Sequence, residues 1–443
     1  MENATAEALA GLTSADLRES WGVLSAEERT EGFHMLARTD QEDFFLESPS
    51  RDQRGLLATL PAPERRAWLR LLPPDDAADL LQLLPSAERA AMLAVLDDPT
   101  RREVSALLAY AEDDAGGLMN PRFVRVRPDM SVDEAISYLR RQAVDRAETI
   151  YYAYALDPEQ RLLGVVSFRD LFASRPDQKI ADVMIRDVVT VRDDMDQEAV
   201  SRLFARHDLI AIPVVDAAGH MKGLVTVDDI VDVVQEEATE DIQRLGGTEA
   251  LGAPYLAMSL LAMVKKRAGW LAALFLGEML TATAMARYED EIAKAVVLAL
   301  FVPLIISSGG NSGSQATTLV IRAMALGEVR LRDWWRVARR ELASGLGLGI
   351  ILGSIGVARI LLWQSAFHTY GPHASAVAAT VGLSLVGVVL WGCVAGSMLP
   401  FLLRRLGLDP ASASAPFVAT LVDVSGLIIY FSVAGVVLGG KLL

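Results

Sequence analysis

The sequence contains almost no cysteine, and this scarcity excludes several kinds of site. Cys393 is the single cysteine and lies within an apolar run, so an intrachain disulfide and a metal site built from thiolates are both excluded. The five histidines show no metal-ligand spacing. There is also no glycine-rich phosphate loop opening a helix and no nucleophile paired with a base, so the sequence does not indicate an enzyme.

Basic residues are scarce in the first part of the chain. Before residue 265, 27 Lys and Arg stand against 48 Asp and Glu, a net charge of −21, whereas the remainder carries +6. An acidic region of this size repels nucleic acid and attracts cations, and its oxygen ligands suit Mg²⁺ or Ca²⁺. The opening segment MENATAEALAGLTSADLRES has no basic flank followed by an apolar stretch. We therefore expect no cleaved signal and a cytoplasmic acidic region.

Long apolar runs begin only after residue 268, and they have the length that a membrane-spanning helix needs. They predict five spans, at 269–287, 292–327, 340–364, 375–403 and 414–437. The second run is too long for one straight helix and contains Pro303 followed by GGNSGSQ, which predicts a broken span. Lys and Arg cluster before the first span, between the second and third, and after the fourth. This pattern predicts a cytoplasmic N-terminus and an external C-terminus.

Two internal repeats organise the acidic region. Proline recurs every 12 residues from Pro49 to Pro85, and three of these prolines precede an acid-rich turn. The pattern predicts stacked short helices that form a superhelical domain ending near Gly116 and Gly117. The segment from Met119 then aligns with the segment from Met184, at a spacing of 65 residues. Each copy is predicted to contain a strand, a helix, two strands joined by a turn, and a second helix.

Three features of the spans call for a functional explanation. Asp423 is an ionisable group in the middle of the last span, where such groups normally face a partner or a water-filled path. Gly309, Gly310 and Asn311 would break a helix and expose backbone oxygens, although glycines can also serve close helix packing. Glu278 in the first span either faces the pore beside Asp423, which would make transport depend on pH, or faces lipid or a neighbouring helix.

The tandem repeat resembles a pair of CBS domains. Its copies carry the element G-h-h-[ST]-x-x-D as Gly164, Ser167 and Asp170 and as Gly223, Thr226 and Asp229. CBS pairs often bind adenine nucleotides such as ATP, and the resemblance implies that Thr226 and Asp229 would meet the ribose. The alternative is a purely structural or metal-sensing pair.

Along its whole length the sequence resembles the MgtE family of Mg²⁺ channels and transporters. The resemblance rests on GGLMNP before the first CBS copy, TVDDIVDVVQEEATEDIQRLG after the second, and GGNSGSQATTLVIRA and ATLVDVSGLIIYFSVA in the spans. It implies a multidomain fold: a helical superhelical N domain (1–117), α/β tandem CBS domains (118–183 and 184–235), a connecting plug helix (236–268) and an all-α transmembrane domain (269–443). It also implies a homodimer in the cytoplasmic (inner) membrane, with no nucleic acid partner.

The resemblance implies roles for individual residues as well. Asp423 would bind hydrated Mg²⁺ in the pore, with Gly309, Gly310 and Asn311 lining it. Cytosolic Mg²⁺ would bind acids on three elements and close the pore: Asp75, Asp76 and Asp79 in the N domain, Asp208, Asp229 and Asp232 in the second CBS copy, and Glu237, Glu240 and Asp241 on the connector. For Asp75 and Asp76, a place in the first turn of a helix is a sufficient alternative explanation.

The sequence departs from some relatives at Ala415 and Ser314, where they carry Asn, and at Glu278, where they carry a small residue. These departures bear on ion selectivity or on coupling to another ion.

From the resemblance as a whole we expect a Mg²⁺-selective channel that is gated by cytosolic Mg²⁺. The alternative is an ion-coupled secondary transporter in which Glu278 and Asp423 relay a proton or Na⁺. A membrane enzyme or nucleotide sensor controlled by the CBS pair is a third hypothesis, disfavoured by the missing catalytic motifs.

Overall fold

A computed structural model describes residues 13–142, 151–252 and 255–439. The chain divides into two compact units, residues 1–237 and 238–443, and each is described by itself.

The first unit begins with short helices joined by tight turns. Their bounds are α1 Ser14–Ser20, α2 Ala26–Met35, α3 Arg38–Leu46, α4 Ser50–Thr59, α5 Ala62–Leu69, α6 Pro74–Gln82, α7 Ser86–Leu93 and α8 Asp98–Leu107. The four prolines of the 12-residue repeat each occupy the N-cap of one helix, from α4 to α7. Proline fits this position because the first N–H groups of a helix have no partner within the helix. The predicted succession of helices and turns is confirmed.

Large apolar side chains on the inner faces of these helices pack together and are buried. Phe44, Phe45 and Trp68 are almost completely buried, and the rings of Phe45 and Trp68 lie 5.1 Å apart. The same core continues into the second CBS copy through Val200 and Ile212, among others. The N domain and this copy therefore share one apolar core.

The two CBS copies have matching topology. In sequence order their elements are α9 Ala115–Leu118, β1 Arg125–Val126, α10 Val132–Gln142, β2 Tyr152–Leu156, β3 Leu162–Ser167, α11 Phe168–Ala173, α12 Ile180–Val183, β4 Val191–Arg192, α13 Gln197–His207, β5 Ala211–Val215, β6 Met221–Thr226 and α14 Val227–Leu245. In each sheet the first strand is parallel to the second, and the second is antiparallel to the third. The predicted order of strands and helices is confirmed in both copies.

Each copy exchanges its leading segment with the other. The N–H of Asn120, ahead of the first copy, donates to the carbonyl of Leu224 in β6 at 2.8 Å. In the equivalent place, the N–H of Ile185 donates to the carbonyl of Val165 in β3 at 2.8 Å. These reciprocal pairings join the two copies into one module.

The connecting segment differs from the predicted plug helix at 236–268. Helix α14 already begins at the end of β6 and runs without a break to Leu245, where Gly246 and Gly247 follow. Gly247 has φ +73°, a left-handed conformation that glycine adopts without a steric penalty, and this ends the helix. The first apolar helix starts at Leu260, earlier than the predicted residue 269.

The second unit consists mainly of long apolar helices. They are α15 Leu260–Arg287, α16 Glu289–Lys294, α17 Val302–Ala325, α18 Trp334–Phe367, α19 Ala374–Arg405 and α20 Ala415–Leu438. With the 3₁₀ turns that precede some of them, five helical segments in the described residues are long and apolar enough to cross a membrane. The prediction of five spans is confirmed.

The prediction of a helix broken at GGNSGSQ is wrong. Helix α17 continues through Gly309, Gly310 and Asn311, and the irregular part of this span is the 3₁₀ segment Val296–Phe301 just before Pro303. The glycines instead serve close packing: a Cβ added at Gly309 would lie 2.8 Å from Val422 in α20. Because the helix is intact, the carbonyl oxygens here are engaged within it rather than exposed at a break.

Candidate functional site

Asp423 lies on α20 where this helix faces α17, and its side chain is half-buried. A Cβ added at Gly310 of α17 would stand only 3.8 Å from Asp423 Oδ1 and 3.4 Å from Ala419. Glycine at this position therefore lets α17 approach the carboxylate closely without covering it. Asn311, the next residue, is exposed, and its side-chain amide donates to Ser307 Oγ at 3.3 Å.

Glu278 of α15 reaches the same place. Its carboxyl group lies in hydrogen-bonding contact with that of Asp423. Gly277 makes this possible, because a Cβ added there would lie 3.0 Å from Thr420 Cγ2 on α20. Glu278 thus lies beside Asp423, and its side chain is exposed on the surface of the chain.

The two positions where some relatives carry Asn, Ser314 and Ala415, touch each other. The Ser314 hydroxyl donates to the Ala415 carbonyl at 3.1 Å, which joins α17 to the first turn of α20. Next to them, Trp270 of α15 donates from its indole nitrogen to Ser414 Oγ at 3.1 Å. Helices α15, α17 and α20 thus converge at one end of the Asp423 site.

A second acidic region lies between the N domain and the second CBS copy. Asp76 and Asp79 of α6 face the first turns of α14, and burial together with neighbouring carboxylates raises their pKa values. Burial, Asp228 and Asp232 raise the pKa of Asp76 to about 6. Burial and repulsion from several acids, Asp76 foremost, raise the pKa of Asp79 to about 8.

The acids that α14 contributes to this region also have raised pKa values. Burial raises the pKa of Asp229 to about 6, against hydrogen bonds from Thr226 that lower it. Burial first and neighbouring acids second also raise the pKa values of Asp232 and Glu236. This interdomain acidic cluster is formed by Asp76, Asp79, Glu112, Asp228, Asp229, Asp232 and Glu236.

The other predicted gating residues of the first unit and Asp241 lie in different surroundings, and two of them have hydrogen-bond partners. Asp75 is buried and accepts a hydrogen bond from Asn120 Nδ2 at 3.1 Å, and Glu237 accepts one from Gln197 Nε2 at 2.7 Å. Asp208 is exposed and ends α13 in a left-handed conformation with φ 50°. Asp241, on α14, is half-buried.

Within the second unit, Glu240 on α14 forms an ion pair with Arg244, which also pairs with Asp409 in the loop between α19 and α20. Glu240 is therefore engaged by an arginine of its own helix.

Sequence reasoning missed three members of the cluster. Asp228 and Glu236 adjoin the predicted Asp229 and Glu237, so the one-sided periodicity of α14 could have indicated them. Glu112 lies in a turn after α8, where no periodic signal exists. Across the described residues, no group of three or more His, Cys, Asp and Glu is arranged to hold a metal ion. The cluster therefore brings acids close enough to repel each other without forming a finished chelate.

The two residues predicted to contact the ribose, Thr226 and Asp229, are hydrogen-bonded to each other. Thr226 Oγ1 donates to Asp229 Oδ2 at 2.6 Å, and the equivalent Ser167 Oγ donates to Asp170 Oδ2 at 2.6 Å. Each pair caps the helix that follows its sheet. A separate cavity of about 180 Å³ opens between the copies, lined by Leu162, Leu163, Arg186, Val188, Thr190, Val215 and Gly219.

Family models match three parts of the chain. The MgtE family model, described as a divalent cation transporter, matches residues 302–433, the MgtE intracellular N domain model matches 12–113, and the CBS domain model matches 115–177 and 180–236. Solved structures similar to the chain include the cytosolic domain of the Mg²⁺ channel MgtE in complex with ATP, at 42% identity over 53% of this chain and 95% of that one, with a TM-score of 0.47.

Relatives of similar architecture are named magnesium transporter MgtE. The protein of Thermus thermophilus is 46% identical over 77% of this chain and 74% of its own length. That of Enterococcus faecalis is 35% identical over 75% of this chain and 71% of its own length. With these matches, the N domain, the CBS pair and the five apolar helices establish that the chain belongs to the MgtE family of divalent cation transporters.

Proposed function

We propose that the protein is a Mg²⁺-selective channel of the cytoplasmic membrane that imports Mg²⁺ and is closed by Mg²⁺ in the cytosol. The observation that carries the proposal is Asp423, a half-buried carboxylate in a bundle of apolar helices with a glycine of α17 facing it. An ionisable group at such a position marks an ion pathway. The named relatives support Mg²⁺ as the substrate.

The permeating ion would keep most of its water at this site. Mg²⁺ dehydrates reluctantly and prefers octahedral oxygen ligands, so Asp423 would hold it through the hydration shell. Gly309 and Gly310 are assigned to the lining of the pathway because they let α17 pack closely beside the helix that carries Asp423, and exposed Asn311 offers an amide on the next residue of α17. A homodimer would place two copies of Asp423 around a two-fold axis and double the negative charge.

Gating would act through the interdomain acidic cluster. Its carboxylates lie buried beside one another, and burial first and mutual repulsion second raise the pKa values of Asp76, Asp79 and Asp229. Bound Mg²⁺ usually contacts only one or two carboxylates and fills its other positions with water, so a finished set of three protein ligands is not required. We infer that Mg²⁺ draws α6 and α14 together and favours the closed state. Asp75, Asp208, Asp232, Glu237, Glu240 and Asp241 are assigned to the same gating sites.

Growth measures the proposed transport directly. A Mg²⁺-uptake-deficient bacterial strain that expresses the chain should grow in low Mg²⁺, whereas the same strain with the empty vector should not. Electrical recording from the purified protein should give Mg²⁺ currents that fall as Mg²⁺ rises on the cytosolic side. Growth only in high Mg²⁺ despite normal membrane expression would reject import.

An ion-coupled secondary transporter remains the second candidate, because Glu278 and Asp423 lie in contact and could relay a proton. Counting ions separates the two functions. A coupled transporter moves a fixed number of protons or Na⁺ ions with each divalent cation, whereas a channel carries Mg²⁺ current without a co-ion.

The CBS pair is proposed to bind an adenine nucleotide, with Thr226 and Asp229 at the ribose. The match of both copies to the CBS domain model supports this proposal, and Arg186 in the cavity between the copies supplies a positive charge for a phosphate. Calorimetric titration of the full chain with ATP and AMP tests it. Heat of binding that is lost in Asp229→Ala would support the ribose contact, and an equal signal in both proteins would reject it.

A further inference from the structure

Exposed arginines gather at one end of the helical bundle, where α18 begins and α19 ends. Two of them close α19, one lies in the 3₁₀ turn Leu331–Asp333 just before α18, and two lie in the first two turns of α18. All five residues are exposed. These rim arginines are Arg332, Arg339, Arg340, Arg404 and Arg405.

The packing of α18 against α19 brings the rim arginines to one level. A Cβ added at Gly345 of α18 would lie 3.1 Å from Cβ of Cys393 in α19. One turn further along α18, a Cβ added at Gly349 would lie 2.8 Å from Cα of Val386. The two helices therefore run antiparallel side by side, so the start of α18 lies beside the end of α19. The 3₁₀ turn before α18 also contacts α19.

A buried apolar cluster fixes this end of the bundle. Val320 and Met324 of α17 are buried with Phe401 of α19. Val329, in the loop after α17, and Val337 of α18 pack against them. Because the elements that carry the rim arginines share this core, their backbones need not be organised when a partner binds.

The charge of the rim arginines is not balanced by the acids near them. Asp333 pairs with Arg336. Asp409 pairs with Arg244 of α14, and Glu341 accepts a hydrogen bond from a serine of its own helix. In the described part of the second unit the ion pairs involve Arg244 and Arg336, and none of them includes a rim arginine.

Aromatic and aliphatic side chains continue from the arginines along α18. Trp334 and Trp335 are 52% and 58% exposed, and their rings lie 5.6 Å apart in an edge-to-face contact. Spacings of four, three and four residues place one exposed stripe on a single face of α18: Trp335, Arg339, Leu342 and Leu346. Along this stripe a tryptophan and a guanidinium are followed by aliphatic side chains, which matches the order of headgroup and acyl chain in a phospholipid.

The rim arginines lie at the cytosolic end of the bundle. The N domain matches the model of the MgtE intracellular N domain, and α14 follows the second CBS copy on the same side. Arg244 of α14 pairs with Asp409 in the loop after α19, next to the rim arginines Arg404 and Arg405. The cytoplasmic leaflet is the one whose anionic lipids attract basic residues beside membrane helices.

We propose that the rim arginines and the α18 stripe form a binding site for an anionic phospholipid of the cytoplasmic leaflet. The phosphate is bound by Arg339 together with the arginines at the same level, because guanidinium donors match phosphate oxygens in pairs. The acyl chains lie along Leu342 and Leu346. A soluble anion would use the arginines without the stripe, and a neutral lipid would use the stripe without the arginines.

Competition between two lipids tests this inference. Purified full-length protein is equilibrated in detergent micelles with phosphatidylglycerol and phosphatidylcholine of identical acyl chains at equal mole fraction, and native mass spectrometry counts the lipids bound per chain. We expect the wild type to bind phosphatidylglycerol in preference. Arg339→Gln and Arg404→Gln should each lower the preference about fivefold, the contribution of one basic residue beside an anionic lipid.

The matched control is Arg359→Gln. Arg359 is also an exposed arginine of α18 and lies over the ring of Trp363 at 3.7 Å, but it belongs to the other end of the helix. This variant should keep the wild-type preference. Added inorganic phosphate, the probe for a free anion site, should not displace the lipid, and added salt should weaken the preference.

Equal binding of the two lipids by the wild type overturns the inference, and is the result expected if the arginines serve only to orient the helices in the membrane. A preference that survives both Arg339→Gln and Arg404→Gln, or that falls as much in Arg359→Gln, overturns it as well. Displacement by inorganic phosphate would reject the lipid in favour of a soluble anion. Gel filtration checks the folding of each variant. Since no flux is measured, failure of the proposed Mg²⁺ channel would leave these outcomes unaffected.

Discussion

At the scale of single residues, the proposed functional acids lie in environments that do not favour a negative charge. Asp423 is half-buried among apolar helices and Asp79 is set among other acids at a domain junction. Such positions reduce stability unless a cation compensates them. Both acids are thus suited to a protein whose substrate is a divalent cation.

Asp423→Ala should abolish Mg²⁺ flux in liposomes while the protein remains folded, because the pathway loses its carboxylate. Asp423→Asn should retain about a tenth of the flux or less, since the amide still accepts a hydrogen bond from water but lacks the charge that strengthens it. Gel filtration of both variants provides the control for folding. Full Mg²⁺ flux in Asp423→Ala would show that the ion takes another path.

At the scale of elements, the acidic face of α14 and the glycine faces of α17 and α19 have separate tasks. In the proposed gating the acidic face of α14 binds cytosolic cations, whereas the glycines allow the helices that surround Asp423 to pack closely. In α19, Gly392 and Gly396 lie against the carbonyl oxygens of Gly309 and Gly313. The Thr317 hydroxyl donates to Gly396 O at 2.8 Å and ties the two helices together.

Replacing Glu237, Glu240 and Asp241 together by Ala should weaken closure by cytosolic Mg²⁺. Glu237 and Glu240 lie three residues apart and Glu237 and Asp241 four apart, so the change removes the charge of one helical face. We expect the internal Mg²⁺ that halves the current to rise about fivefold or more. Thr239→Ala on the same helix is the matched control. An unchanged inhibition curve would show that these acids do not take part in closure.

Gly396→Ala should destabilise the membrane helices. The added methyl group would overlap the carbonyl oxygen of Gly313, a backbone atom that cannot move aside without shifting α17. Overpacking of this kind costs about 1–3 kcal/mol, so the thermal midpoint in detergent should fall by several degrees. Gly347→Ala on α18 is the control, since nothing lies within 4 Å of its added Cβ. Equal midpoints for the two variants would contradict the close packing.

At the scale of the whole molecule, the net charge of −21 before residue 265 makes the stability of the acidic region depend on pH and on cations. In the absence of Mg²⁺ the folded state holds Asp76, Asp79 and Asp229 at pKa values of about 6, 8 and 6, above the ordinary 3.8. Between about pH 4 and pH 8 the folded protein then binds more protons than the unfolded chain, so its stability falls as the pH rises. The stabilising protonation is complete below about pH 4 and is lost as the pH rises through 6 and 8.

We therefore expect the thermal midpoint of the full-length protein without Mg²⁺ to fall between pH 5 and pH 9, and saturating Mg²⁺ to remove most of the fall. Asp79→Asn should flatten the dependence at its upper end, because it deletes the group whose pKa is near 8. Exposed Asp208→Asn is the control and should follow the wild type. A midpoint that rises with pH in the absence of Mg²⁺ would refute the electrostatic account of the cluster.

Local patterns in the sequence were sufficient to predict the helices, the strands and the five apolar spans. Proline at the N-cap positions, the alternation of strands and helices in two copies, and five apolar runs each predict structure over neighbouring residues, where periodicity and capping act. Asp423 could be recognised in the same way, because a carboxylate in an apolar run is conspicuous without any knowledge of its surroundings.

Only the tertiary structure decided what depends on neighbours from distant parts of the chain. Gly309 and Gly310 suggested a broken helix, yet α17 is continuous, and those glycines instead allow α19 and α20 to pack against it. Likewise, Glu278 and Asp423 are 145 positions apart in sequence and meet because α15 packs on α20. The periodicity of one helix shows which residues share a face, but the packing of helices determines what that face contacts.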